Sequence, residues 1–223
     1  MNDATLSSAP PSPWEPTRES IAQTNLTRYL DWLAKERWLV FHDYPALWTW
    51  STKELGDFWQ SIADFFGVRF YRRGTCRLSS MEMPGAKWFC GATLNYAEHA
   101  LFSGEGTAIL FEAEGEGGKN RSLEISRTEL RKQVALVAAR MRAAGMQAGD
   151  CVGGFLSNTP EAVVAFLASA SIGAIWSNCP VEMTSRSVLD RLSQIAPKVL
   201  FASTGYWYGG KRHERLQVVE EIV

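Results

Sequence analysis

Apolar residues in the first third of this 223-residue chain recur at helical spacing. Between about Ile21 and Phe66, Leu26, Tyr29, Leu30 and Leu33 share one side of a helix, and Leu55, Phe58, Ile62 and Phe65 one side of another. Ser51 and Glu54 have the spacing of a capping box ahead of that second helix, and Gly67 closes it. Periodicity then fades until "ATLNYAEHAL", which predicts a short helix with Thr93 or Asn95 near its cap. From Thr107 the pattern changes to that of sheet. "TAILFEA" and "SLEIS", joined by the turn-rich "EGEGGKN", predict a hairpin. Ser126 and Glu129 make a second capping box, for a helix lined by Leu130, Val134, Val137 and Met141 and ended by Gly145.

Beyond that point strands and helices take turns. The strand "CVGGFLS" leads to a helix from Pro160, for which Thr159 serves as N-cap, Pro160 suits the first position, Glu161 complements the dipole and Gly173 permits the closing left-handed turn. Next are the strand "AIWS", a helix from about Ser185 to Ile195 stopped by Pro197, the strand "KVLFAS" and a final helix from His213. Such alternation predicts a doubly wound sheet with right-handed crossovers. The aromatic faces of the early helices need a larger partner to bury them. The expected fold is α/β: a Pro- and Ser-rich disordered leader (1–20), an N-terminal helical extension (21–100), and a partial doubly wound, mostly parallel sheet (101–223) on which the extension packs.

Composition narrows the function. With 46% hydrophobic residues and a formal net charge of -1, the chain carries no global basic field to recruit nucleic acid or an anionic membrane. Its longest apolar stretch, Ala162 to Trp176, is too short and too interrupted by serine to span a bilayer. The start lacks the features of a secretory signal. The four cysteines, Cys76, Cys90, Cys151 and Cys179, have no metal-ligand spacing and are expected as reduced thiols of a cytoplasmic protein. Of nine tryptophans, Trp32, Trp38, Trp48, Trp50, Trp59 and Trp88 are expected to form an aromatic cluster. His42, His99 and His213 are scattered, with no nucleophile at a recognisable spacing.

Four blocks carry a family resemblance: "YPALWTWSTKELGDFWQSIADFFGV" from Tyr44, "WFCGATLNYAEHAL" from Trp88, "SNTPEAVVAFLASASIGAIWSNCP" from Ser157, and "RSVLDRLSQIAPKVLFASTGYWYGGKR" from Arg186. Together they resemble the N-terminal part of the adenylate-forming acyl-CoA synthetases. The first two look like the acetyl-CoA-synthetase-type N-terminal region, and "GYWYGGKR" points more narrowly to the acetoacetyl-CoA synthetases. The resemblance implies a full-length enzyme that uses ATP, Mg2+ and CoA to ligate acetoacetate through an acyl-adenylate. Two departures stand out. Cys90 occupies a position where that family usually has proline, and "NCPVEMT" replaces its SCSPDFG-type loop at Pro180, Val181, Glu182 and Met183. The family's TSGTTGxPK phosphate loop, TGD motif and C-terminal lysine do not occur, so this chain alone is expected to be non-catalytic, with no cofactor of its own.

Candidate chemistry concentrates in "KVLFASTGYWYGGKRHERLQ", whose strand–loop–helix reading puts a loop at the carboxyl end of a parallel strand. Gly205 to Lys211 fits GxxxxGK, but Arg212 stands where a P-loop needs a hydroxyl for magnesium. By resemblance, Arg212 with its neighbour Lys211 would contact a phosphate of CoA's adenosine part, with Gly209 and Gly210 allowing close approach. The alternative is a solvated basic helix start. Three readings stay open: part of a synthetase, a free-standing CoA- or protein-binding module, and a nucleotide-binding enzyme. Expected partners are CoA and either the rest of a synthetase or a second copy through an exposed sheet edge.

Overall fold

The computed structural model describes residues 14–102 and 104–223, so the leader expected to be disordered lies largely outside the described residues. Its last part does not: Arg18, Glu19 and Ser20 already belong to a helix. The chain divides into two compact units, Met1–Thr93 and Leu94–Val223.

The first unit contains α1 (Arg18–Ala22), α2 (Asn25–Arg37), α3 (Tyr44–Lys53) and α4 (Leu55–Phe65). Thr17, Thr24 and Asp43 start the first three by accepting N–H groups of Ser20, Thr27 and Ala46. The apolar stripes meet in a core of Tyr29, Leu33 and Leu47, surrounded by Trp32, Trp50, Phe58, Ile62 and Phe65. Buried Ser61 donates to the Phe58 carbonyl at 2.7 Å, so its oxygen accepts from the Tyr29 hydroxyl and both polar groups are satisfied. Burial holds that tyrosine's pKa above its usual value.

Three expectations are corrected in this unit. Ser51 is not a cap: α3 continues through it, its hydroxyl donates to the Trp48 carbonyl at 2.8 Å, and α4 starts at Glu54 without a side-chain cap. The tryptophan cluster is smaller than expected. Phe41, Trp50, Phe58, Trp59 and Trp88 form a run of ring contacts with centroids 5.2–6.2 Å apart, its Trp59 and Trp88 end exposed, while Trp38 and Trp48 lie outside that run and are exposed too. Cys76 and Cys90 are not free thiols but a disulfide, with Cα atoms 5.2 Å apart. Backbone pairing of 75–79 with 87–90 brings them together, an irregular ladder that the aperiodic sequence did not announce.

The second unit begins with α5 (Tyr96–Phe102), where Asn95 accepts the N–H groups of Ala97 and Glu98, as a cap should. Its side-chain amide also donates to the Ala170 carbonyl at 2.8 Å. β1 (Thr107–Glu114) and β2 (Asn120–Ser126) form the expected antiparallel hairpin. Ser126 then caps α6 (Arg127–Ala143), which buries Leu130, Val134, Ala138 and Met141. Next come β3 (Cys151–Phe155), α7 (Pro160–Ser171), β4 (Ile175–Cys179), α8 (Ser185–Leu192) and β5 (Val199–Ala202). Thr159 holds the N-cap position of α7, yet its side chain makes no cap hydrogen bond.

β3 is the centre of a parallel sheet of order β4-β3-β5. Alternation along it separates two cores. Val152 faces the core of α6 and α7, with Trp176, Val199 and Phe201 of the flanking strands, whereas Phe155 faces Val188 and Leu192 of α8 together with Leu200. Covering both faces makes the sheet doubly wound, as expected.

The end of the chain differs from the sequence reading. No helix begins at His213: β6 (Gly205–Tyr208) and β7 (Lys211–Glu214) form an antiparallel hairpin, and α9 (Leu216–Ile222) comes after it. Gly209 and Gly210, with φ of 60° and 71°, make the two-residue turn, which needs positive φ at both positions. Across the strands the rings of Tyr206 and His213 stack, with centroids 5.0 Å apart and 15° between planes.

Candidate functional site

Strand order reverses at β3, because β4 is added on one side of it and β5 on the other. Open α/β sheets bind ligands at the carboxyl ends of their strands near such a reversal. A cleft of about 350 Å³ lies there. Its floor is Ser157, Asn158 and Thr159 after β3, Glu182 after β4 and Gly205 after β5, and its walls are Tyr206 to Tyr208 of one hairpin and Phe111 to Glu114 with Arg121 of the other.

The local sequence explains these positions. β3 carries Gly153 and Gly154 at its centre, and both are buried. A Cβ on Gly154 would stand 2.9 Å from the Trp176 ring, so the indole closes over bare backbone and the strands pack tightly beneath the cleft. In the "NCPVEMT" loop, Val181 is wholly buried against Phe155 and Val188, and Met183 packs on the same core. That leaves Glu182 to face the cleft. Glu112, Glu114 and Glu182 outnumber the single guanidinium of Arg121, so the lining is acidic on balance.

Glu114 also joins the two hairpins. Its Oε2 accepts the Gly210 N–H at 3.0 Å. The backbone donor that would serve a phosphate in a glycine loop is therefore already held by a carboxylate. With two antiparallel strands in place of strand, loop and helix, Gly205 to Lys211 is not a P-loop. The residues expected to contact CoA lie together at the hairpin's turn: Gly209 and Gly210 form it, Lys211 pairs across from Tyr208, and Arg212 from Trp207. Trp207 and Tyr208 line the cleft, so the two cations stand across the ladder from its wall. Arg212 is half exposed and its Nε lies 3.0 Å from Glu214 Oε1. The helix start expected beside them lies further on, at Leu216.

The sequence reading missed Glu114, Arg121 and Ser157 to Thr159. The rule that placed a ligand loop after "KVLFAS" applies equally to the loop after "CVGGFLS", and that signal was there to use. Among the described residues, no three His, Cys, Asp or Glu side chains gather as a set able to hold a metal ion. Nor is any of their helices long and apolar enough to cross a membrane.

Comparison with known proteins agrees with this architecture. The model of the acetyl-coenzyme A synthetase N-terminus matches residues 44–100. Acetoacetyl-coenzyme A synthetase of Rhizobium meliloti (strain 1021) is 36% identical over 202 residues, which cover 90% of this chain and 30% of that protein. Acetoacetyl-CoA synthetase of Macaca fascicularis is 36% identical over 212 residues, 94% of this chain and 31% of that one. The solved acetoacetyl-CoA synthetase from Streptomyces lividans superposes with a TM-score of 0.87 at 43% identity, covering 95% of this chain and 33% of that structure. The chain thus spans about a third of the length of these relatives and aligns with them over 90–95% of its own. The AMP-binding enzyme model matches residues 103–222, the whole sheet and both hairpins around the cleft, and the chain belongs to the AMP-binding enzyme family.

Proposed function

We propose that this chain is the N-terminal part of an acetoacetyl-CoA synthetase, and that its hairpin β6–β7 supplies part of the CoA surface. The full-length reaction on this reading joins acetoacetate to CoA through an acyl-adenylate, with ATP and Mg2+. The observation that carries the CoA assignment is the pair of exposed cations, Lys211 and Arg212, fixed at the end of a two-residue turn whose backbone is tied down by Glu114. A planar guanidinium held only by an exposed carboxylate can exchange that partner for a phosphate at small cost.

Titration of CoA into the wild-type chain and the Lys211→Ala/Arg212→Ala variant tests this assignment. Measurable binding should weaken as salt is raised, and the variant should lose most of it with unchanged circular dichroism. Equal affinities in the two proteins would reject the site. Equal affinity for CoA and 3′-dephospho-CoA would reject the 3′-phosphate as its target. The same reading has the isolated chain silent in acetoacetate-dependent exchange of pyrophosphate into ATP, and exchange above a no-protein blank overturns that. The outer edge of β5 borders an apolar groove of about 590 Å³ lined by Leu189, Leu192, Leu200, Val219 and Ile222, which supports pairing with the remainder of a synthetase there. In its absence the chain should self-associate, and a clean monomer in sedimentation at high concentration would count against that edge.

A further inference from the structure

We infer that Cys76 and Cys90 form a reversible redox site, opened by small thiols that approach Cys76 through an arginine-lined cleft. Neither residue touches the CoA assignment, and no part of the proposed ligation requires them.

Backbone, not the sulfur bond alone, brings the pair together. The Cys90 N–H donates to the Cys76 carbonyl and the Thr75 N–H to the Cys90 carbonyl, both at 2.9 Å. On either side, Phe89 N–H donates to Arg77 and Ser79 N–H to Lys87. Gly74 permits the approach: a Cβ there would stand 2.7 Å from the Phe89 carbonyl carbon. Phe89 and Gly91, at φ of 45° and 74°, bend the chain on both sides of Cys90. The ladder keeps the two sulfurs adjacent after reduction, so the disulfide can re-form within the folded chain. Reversibility is the consequence of that high local concentration.

Access and charge point to the kind of reductant. Both cysteines are half-buried rather than enclosed. Cys76 opens onto a cleft of about 190 Å³ lined by Arg73, Arg77, Gln60, Thr75 and Phe89. Arg77 is paired with Asp57, and Arg73 adds a second guanidinium. Positive charge beside the attacked sulfur favours an anionic thiol and stabilises the Cys76 thiolate released later. The other cysteines are set apart. Cys179 is buried, with burial pushing its thiol pKa up, and Cys151 lies in the central strand β3.

The step balances with a low-molecular-weight thiol as reductant. A thiolate attacks Cys76 Sγ, the bond to Cys90 breaks, and the Cys90 sulfur leaves as a thiolate that takes a proton from water. A second thiolate then attacks the small-molecule sulfur of the mixed disulfide, releasing the Cys76 thiolate, which is protonated in turn, and a small disulfide. Two electrons and two protons pass to the protein.

The test uses the whole chain after equilibration with a thiol–disulfide buffer, denatured and alkylated for mass analysis. Two alkylated cysteines, Cys151 and Cys179, are expected under oxidising conditions and four under reducing ones. Four under oxidising conditions would overturn the site, as would failure of the pair to re-form after the reductant is removed. Reduction rates per thiolate are then compared for 2-mercaptoethanesulfonate and cysteamine. At low salt the anionic thiol should gain about threefold where it approaches the Arg73 guanidinium to within about 6 Å, the charge of Arg77 being offset by Asp57. The preference should fall in Arg73→Ala and at 1 M salt, about where screening reaches contact distance. Rates that ignore thiol charge, salt and Arg73→Ala alike would reject the cleft as the entry path.

Discussion

Two adjacent glycines in β3 should respond very differently to the same substitution. In Gly154→Ala the new methyl would stand 2.4 Å from Asn178 Oδ1 and 2.9 Å from two atoms of the Trp176 ring. The Asn178 side chain must then leave the Leu156 carbonyl to which it donates at 3.3 Å, and the indole must move within a packed core. Lost hydrogen bonding of about 1 kcal/mol and overpacking of about 1–3 kcal/mol are opposed by about 0.5–1 kcal/mol gained on replacing glycine inside a strand. The net destabilisation is about 1–3.5 kcal/mol. In Gly153→Ala the atoms nearest the methyl are side-chain carbons of Leu200, Pro197 and Leu192 at 3.1–3.4 Å. Shifts of a few tenths of an ångström in those side chains are offset by the gain on replacing glycine inside a strand, so the net change should be about 0.5 kcal/mol or less. Hydrogen exchange of the β3 amides in rising urea reads this unit separately from the first. With a slope of about 2 kcal/mol per molar urea, Gly154→Ala should lower the midpoint by about 0.5–1.7 M while Gly153→Ala barely moves it. Equal midpoints for the two variants would refute the placement of Trp176 over Gly154.

Asp150 lies 2.6 Å from Lys198 and accepts the Gln147 N–H at 2.8 Å, and these two partners hold its carboxyl below the usual carboxylate range. A depressed folded pKa gives stability that is full above the unfolded value, about 4, and fades as pH falls through the lower folded value. Asp150→Asn should therefore lower the thermal midpoint at pH 7 and lose its effect near pH 2; a pH-independent difference would contradict this. Gly209→Ala places a Cβ at φ 60°, costing about 1–2 kcal/mol at a turn that needs the left-handed region. Proteolysis at the β6–β7 turn should quicken accordingly, and unchanged cleavage would argue against that turn type.

Much of the fold was legible because the residues that encode it act locally. Ser126 and Asn95 cap α6 and α5, Gly145 and Gly173 end helices at positive φ, and the turn-rich "EGEGGKN" between "TAILFEA" and "SLEIS" sets the first hairpin. The hairpin at 205–214 was misread although its signal is equally local. Two consecutive glycines between aromatic and polar runs specify a two-residue turn, but the same stretch also fits the GxxxxGK spacing of a loop that precedes a helix. Ser51 failed for the reverse reason. Its spacing to Glu54 suited a cap, but the preceding helix, anchored by buried Leu47, runs on past it. The Cys76–Cys90 pairing and the Glu114 link to Gly210 depend on segments 14 and 96 residues apart, and no spacing rule reaches that far.

The order β4-β3-β5 also bears on how the chain is made. During synthesis the middle strand leaves the ribosome first. β4 then arrives on one flank and β5 on the other, each after a helix that covers the face just formed. Growth is always outward, so no later segment has to insert between strands that are already paired. A nascent chain released between β4 and β5 carries a two-stranded parallel sheet with the β5 flank of β3 still unpaired.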